Sequence, residues 1–343
     1  MIRVAITGAS GLVGECLTRV LVDHPAAEVT YVGSRSSAGR DIADVVPSLK
    51  GQISLACRES DAKEIAAAAD VAILAHKSAE SLELTPKLLD AGVRVIDIGG
   101  EFRLKDPALY KRWYGQDHTA TVLLAEAVYG LPELHREQIR TARLVANPGC
   151  YPTSVVLGLA PLLKAGLIQR DGIHIASSSG LTGAGRTGAR AFIDVNEDMR
   201  PYALGGHKHV PEMEQELGAA AGGRVTVTFV PHLIPLNRGI LSTMFARPAR
   251  LADAAELHAT LARAYAGEPF VRVREGGGDV CIANVRGTNF CDVAVDLSES
   301  TETVIVTSAL DNMLKGAATQ AIQNLNVMFG LDEATGIRGV RGS

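Results

Sequence analysis

The chain carries only five cysteines, Cys16, Cys57, Cys150, Cys281 and Cys291, at unrepeated spacings and with no CxxC pair. An odd, unpatterned set argues against a disulfide frame and for reduced thiols in the cytoplasm, and the missing CxxC argues against a structural zinc site. Long apolar runs are also missing: no stretch approaches the ~18–20 residues of a membrane span. The opening "MIRVAIT" enters a strand pattern directly, without the basic region and apolar core of a signal peptide. Charge of one sign is scarce. A formal net charge of −4 implies neither a nucleic-acid backbone nor an anionic membrane as partner. There is no internal repeat and no low-complexity tract.

What is present is enough for a large interior. With 343 residues, 47% of them hydrophobic and 21% charged, the chain reads as a soluble globular protein of two domains. "IRVAIT", "EVTYVGS", "ISLACR", "VAILAH" and "VRVIDIGG" read as strands, with "DAKEIAAAAD" and "SAESLELTPKLLDAG" as helices between the last of them. That alternation predicts an α/β domain, a Rossmann-type doubly wound parallel sheet. After Cys150 the runs "GIHIASSSG", "RVTVTFVPHL", "GILSTMFARP", "CDVAVDLS" and "TVIVTSAL" are mostly alternating, with helices near Pro211–Ala221 and Ala252–Tyr265. They predict an α+β substrate domain with a mixed sheet. The final helix, "DNMLKGAATQAIQNLNVMFG", is expected to pack back on the first domain. The expected domains are therefore 1–149 with 312–343, and 150–311.

"GASGLVGE" sets Gly8, Gly11 and Gly14 between the first strand and the first helix, with Ser10, Leu12 and Val13 in the same loop. Glycines there let backbone amides approach a pyrophosphate, and the helix start adds partial positive charge. At the end of the second strand an NAD site holds Asp or Glu for the ribose 2′-hydroxyl. This chain has Ser34, Arg35, Ser36 and Ser37 and no acid, which suits the 2′-phosphate of NADP.

In "ANPGCYPTS", Asn147, Pro148 and Gly149 end a strand, and Pro152 suits the first turn of a following helix. Cys150 therefore stands at a helix N-terminus, where exposed amides and the helix dipole favour the thiolate. The same amides suit an oxyanion on a carbon bonded to that sulfur. A thiolate beside a nicotinamide points to acyl transfer onto sulfur and reduction by hydride. "GGHKHVPEMEQ" supplies His207 and His209 as candidate acid/base groups; two apart in an extended segment, both rings would face one cleft. A metal pair with Glu212 lacks further ligands at fitting spacing, so no metal is expected. His76 and His232 read as loop or core residues.

Together these words resemble the N-acetyl-γ-glutamyl-phosphate reductase family, relatives of aspartate-semialdehyde and glyceraldehyde-phosphate dehydrogenases. "SRSSAG", "FRLKD", "VYGLPEL", "NPGCYPT", "SGLTGAGR", "GGHKHVPEMEQ", "PHLIPLNRGI", "RGTNFCDV" and "DNMLKGAATQAIQNLN" carry the likeness through nearly the whole chain. The resemblance implies an arginine-biosynthetic enzyme that reduces a small acyl phosphate with NADPH. It implies Cys150 as nucleophile, the histidine pair as acid/base, and a homodimer or homotetramer joined through the second domain. It also implies Arg103, Asn147, Arg186, Glu212 and Arg238 around the anionic substrate, and Ser179, Gly180 and Asn312 near the nicotinamide. Departures are Glu101 where the family has aspartate, and Lys208 and Val210 where it has arginine and threonine. An aminoadipyl phosphate, free or carrier-bound, is the nearest alternative substrate, because one methylene discriminates by only ~1–3 kcal/mol. A non-catalytic NADP-binding sensor is the alternative of a different class.

Overall fold

The computed structural model describes residues 1–76, 79–185 and 195–337. The described residues divide into two compact units, Met1–Pro148 with the segment from Ala317 to Ile337, and Gly149–Gly316.

The first unit is built on six parallel strands: β1 (Ile2–Thr7), β2 (Ala27–Gly33), β3 (Val71–Leu74), β4 (Arg94–Asp97), β5 (Val128–Tyr129) and β6 (Leu144–Ala146). Their order across the sheet is β2-β1-β3-β4-β6-β5, the parallel doubly wound arrangement expected. All four residues of β3 are fully buried, which is why a continuous apolar run rather than an alternating one marks this strand. The Ala62–Ala68 helix starts where Asp61 accepts the backbone N–H groups of Lys63 and Glu64. The helix Thr319–Met328 belongs to this unit and buries its amides: Gln320 and Asn324 both donate to the carbonyl of Gly130.

Two sequence expectations are corrected here. "ISLACR" forms no strand; only Ala56 and Arg58 make isolated bridges, to Asp41 and Gly33. Its backbone groups are taken by the loop after β2, through Cys57 N to Arg40 O and Ile42 N to Leu55 O, so no ladder extends. The final helix also begins later than its pattern suggests. Asp311 accepts the N–H groups of Met313 and Leu314, a wide π-type turn follows over Leu314–Ala318, and α-helix starts only at Thr319.

The second unit holds a seven-stranded mixed sheet of β7 (Ile173–Ser179), β8 (Arg200–Pro201), β9 (Val227–Leu233), β10 (Ile240–Ala246), β11 (Val271–Val273), β12 (Cys291–Ser298) and β13 (Thr303–Leu310). The order is β11-β12-β13-β10-β7-β9-β8, with only β11–β12 and β7–β9 parallel. The Cys150–Lys164 helix lies against β10, β12 and β13, and every residue from Tyr151 to Leu163 is buried. One side chain in each pleat of β7, such as His174 and Ala176, stays exposed on the opposite face.

Candidate active site

The glycine loop is shaped by close approach. Gly8 has φ +68°, and a Cβ there would stand 2.4 Å from the carbonyl oxygen of Ala75. A Cβ on Gly14 would stand 2.3 Å from the Gly8 carbonyl oxygen, so the Leu12–Val22 helix seats directly on the loop. Gly11 caps that helix, and Glu15 N closes onto Gly11 O at 2.8 Å. This leaves the N–H groups of Leu12 and Val13 at the helix mouth, directed out of the turn. Ser10 and Ser34 join hydroxyls at 2.7 Å, and Ser34 is buried. Arg35 and Ser36 are exposed in a short turn, Arg35 with its guanidinium 3.7 Å from Glu80. A backbone cradle that any side chain would fill, beside a strand end without an acid, fits a dinucleotide with a 2′-phosphate.

Two residues expected at the substrate sit deeper than that. Asn147 is fully buried; its Nδ2 donates to Ala317 O and its Oδ1 accepts from Asn324, so its amide fastens the turn before the cysteine. Arg103 is buried too, with Nε on Asn147 O and Nη2 on Ile98 O, both at 2.8 Å. Asn147 is therefore a turn-holding residue and not a surface contact, because both ends of its amide are engaged. Nearby, Asp97 accepts from Ser81 at 2.7 Å, and burial beside Glu101 raises its carboxyl to about 7.

In the second unit Cys150 is the first residue of its helix and is partly exposed, whereas Cys16, Cys57 and Cys291 are buried. Gly149 caps the helix, and its own N–H donates to Glu212 Oε1 at 2.7 Å. Thr153 N closes onto Gly149 O and Pro152 has no N–H, so the amides of Cys150 and Tyr151 are the donors presented at the helix end. Glu212 is 1% exposed in the first turn of the Val210–Ala221 helix, which makes it a fastener of the cysteine loop.

Tyr151 ties the cysteine's neighbourhood to the histidines. Its ring meets His207 edge-on at 5.5 Å, His209 at 5.9 Å and Phe229 at 5.1 Å between centroids. The two imidazoles lie 4.8 Å apart. They meet in a turn, not in the extended segment that the sequence pattern implies: Val210 N returns to His207 O, and His209 caps the next helix. His207 Nδ1 accepts the backbone N–H of His209 at 3.1 Å, and burial pushes its pKa down to about 4. It is thus a neutral ring whose proton sits on Nε2. The phenols of Tyr151 and Tyr202 share a 2.9 Å bond; burial raises both, Tyr202 to about 12.

Ser179, Gly180, Arg238 and Asn312 meet in one loop knot. A Cβ on Gly180 would stand 2.7 Å from Asn237 O. Asn312 accepts from Gly239 N at 2.7 Å and donates to Thr182 Oγ1 at 3.0 Å, so it bridges the two loops. Arg186 lies outside the described residues. Among the described residues no cluster of three or more His, Cys, Asp or Glu side chains is set to hold a metal, and no helix is long and apolar enough to cross a membrane. Sequence reasoning missed Tyr151, Tyr202 and Phe229; the tyrosine beside the cysteine was the available signal.

Residues 3–142 match the family model for the semialdehyde dehydrogenase NAD binding domain, and residues 150–312 that for its dimerisation domain. The fold is shared with aspartate semialdehyde dehydrogenase II of Vibrio cholerae complexed with ASA, at a TM-score of 0.74 and 19% identity, covering 96% of this chain and 98% of that one. The Candida albicans enzyme with NADP gives 0.73 at 14% identity, with the same coverage. Fold and family matches together define a semialdehyde-dehydrogenase-type oxidoreductase. Curated relatives are more specific: the N-acetyl-gamma-glutamyl-phosphate reductase of Geobacter sulfurreducens is 47% identical over 99% of both chains, and that of Desulfotalea psychrophila 47% over 98% of both. The chain belongs to the N-acetyl-gamma-glutamyl-phosphate reductase family.

Proposed function

We propose that this protein reduces N-acetyl-γ-glutamyl phosphate to N-acetylglutamate 5-semialdehyde and phosphate with NADPH, in arginine biosynthesis. The observation that carries this reading is the partly exposed Cys150 at a helix start, tied through Tyr151 to a pair of imidazoles.

The Cys150 thiolate attacks the acyl carbon, the carbon–sulfur bond forms, and phosphate leaves with the electrons of the bond to oxygen. Amides at the helix start hold the negative charge that builds on the carbonyl oxygen. Gly8, Ser10, Gly11, Leu12, Val13 and Gly14 would cradle the pyrophosphate of NADP, with Ser34, Arg35 and Ser36 on its 2′-phosphate. When bound, NADPH supplies the hydride that reduces the thioester carbon. His209 then gives a proton to the oxygen of the thiohemiacetal and takes it back as the carbonyl re-forms, so the carbon–sulfur bond breaks and the aldehyde and the thiolate are released. His207, kept neutral, serves as a fixed Nε2–H donor and not as the base. Arg186 and Arg238 complement the substrate's carboxylate and phosphate, while Arg103, Glu212, Asn147 and Asn312 hold the loops around the site.

The enzyme works in the cytoplasm as a homodimer or homotetramer. The half-exposed Phe245 and the exposed His174 on one sheet face support a subunit contact there, and sedimentation velocity measures it. Phosphate-dependent reduction of NADP by N-acetylglutamate semialdehyde, compared with aminoadipate semialdehyde, tests the substrate. A preference for the longer aldehyde would overturn it.

A further inference from the structure

We propose that Ser154 is a positioning residue for the Cys150 sulfur: a buried hydroxyl hub pins the cysteine's helix to the sheet in a single rotation and register. This rests on the reading of Cys150 as nucleophile. Residues 150, 154 and 158 follow at four-residue steps and share one face of the helix. At Gly158 the missing side chain lets the helix close on the sheet. A Cβ there would stand 2.6 Å from Met244 Cε and 3.1 Å from Val306 Cγ1.

One turn nearer the cysteine, Ser154 Oγ lies 2.9 Å from Ser242 Oγ and 3.1 Å from Ser308 Oγ. Ser242 in turn bonds Ser177 at 2.7 Å. All four serines are fully buried, and the three partners come from the adjacent strands β7, β10 and β13. Cys291 on β12 extends the cluster, its sulfur 3.4 Å from Ser308 Oγ. At the open end of the stripe Gly316 packs on the nucleophile itself: a Cβ there would stand 2.9 Å from Cys150 Cβ. The helix face is thus close-packed below, hydrogen-bonded in the middle and closely approached at the cysteine's Cβ.

An apolar helix-on-sheet contact stabilises without demanding one geometry. Hydroxyl pairs are directional, and turning or sliding the helix would strand each buried hydroxyl without a partner. The hub therefore selects one helix placement among packings that hydrophobic contact alone would tolerate. That precision matters where an attacking atom misplaced by about 1 Å can cost a hundredfold in rate.

The test compares Ser154→Ala with the quadruple variant Ser154→Ala, Ser177→Ala, Ser242→Ala, Ser308→Ala, which removes all four hydroxyls of the hub together. The readouts are kcat, KM, Tm and the rate at which iodoacetamide alkylates Cys150 between about pH 6 and 9, followed by peptide mass. In Ser154→Ala, kcat is expected to fall at least about tenfold with KM for the acyl phosphate within about twofold, and Cys150 alkylation to slow. The quadruple variant is expected to regain Tm and stay slow. Wild-type kcat and alkylation in Ser154→Ala, or a quadruple variant that recovers rate along with stability, would overturn the proposal. If Ser154→Ala fails to fold, the quadruple variant alone decides by the same criterion. A wild-type Cys150 that resists iodoacetamide while turnover is intact would instead sink the thioester reading, so the two failures are distinct.

Discussion

Glu212 Oε1 receives the backbone N–H of Gly149 at 2.7 Å, so the residue just before Cys150 is held by the first turn of another helix. A charge-assisted bond of this kind is worth ~1.5–3 kcal/mol. Glu212→Gln keeps an acceptor and is expected to lower kcat about tenfold with a small loss of Tm; Glu212→Ala should do more on both counts. Steady-state kinetics and calorimetry check this, and an unaltered kcat in Glu212→Ala would make the bond incidental.

The two histidines should separate sharply. His209→Asn is expected to lower turnover by about a hundredfold or more, the scale of a lost acid/base group. His207→Asn should lower it less and change the pH dependence of stability. Burial holds the folded His207 near pKa 4, against an ordinary 6.5. Between those values the unfolded chain takes up a proton that the folded chain refuses, so stability falls as pH drops through that window and levels off below it. Urea midpoints from about pH 7 to 4 should show a shallower decline in His207→Asn. Equal slopes would contradict the buried, neutral assignment.

Arg35 is exposed in the turn just beyond the second strand, whose end carries no acid in sequence. Arg35→Asp is expected to weaken NADPH at least about tenfold, the loss of one phosphate–guanidinium contact plus repulsion, while NADH changes little. Fluorescence titration with both cofactors reads it, and equal effects would remove the 2′-phosphate contact from the account.

Asn312 bridges Gly239 and Thr182. Asn312→Leu leaves the buried N–H of Gly239 without its partner, at ~1–3 kcal/mol, while the Thr182 hydroxyl keeps only its bond to Asn237 O. The loops carrying Ser179 and Arg238 should loosen, raising KM for the acyl phosphate more than KM for NADPH. The reverse ranking would point to a direct nicotinamide contact.

Much of this was legible in the sequence because local rules and tertiary structure agree there. The strand, glycine loop and helix from Ile2 to Val22 follow one another without a competing pattern, and Gly149–Pro152 reads as a helix start from the chain alone. Where the two disagree, the sequence misleads. "ISLACR" alternates like a strand but spends its backbone on the loop from Ser34 to Ile42. Asn147 looks like a ligand and is an internal fastener for a helix that returns 177 residues later. Ser154 is one serine in an apolar run until the fold brings it to partners 88 and 154 residues away. Long-range polar contacts of this kind leave no periodicity to read.

The central claim is an acyl group carried on Cys150, and a single-turnover reaction run backwards tests it most directly. Enzyme mixed with NADP and N-acetylglutamate semialdehyde, without phosphate, should release a burst of one NADPH per active subunit and stop. Peptide mass should then place the N-acetylglutamyl group on Cys150, and added phosphate should restart turnover. A burst that leaves Cys150 unmodified, or steady turnover without phosphate, would contradict the account.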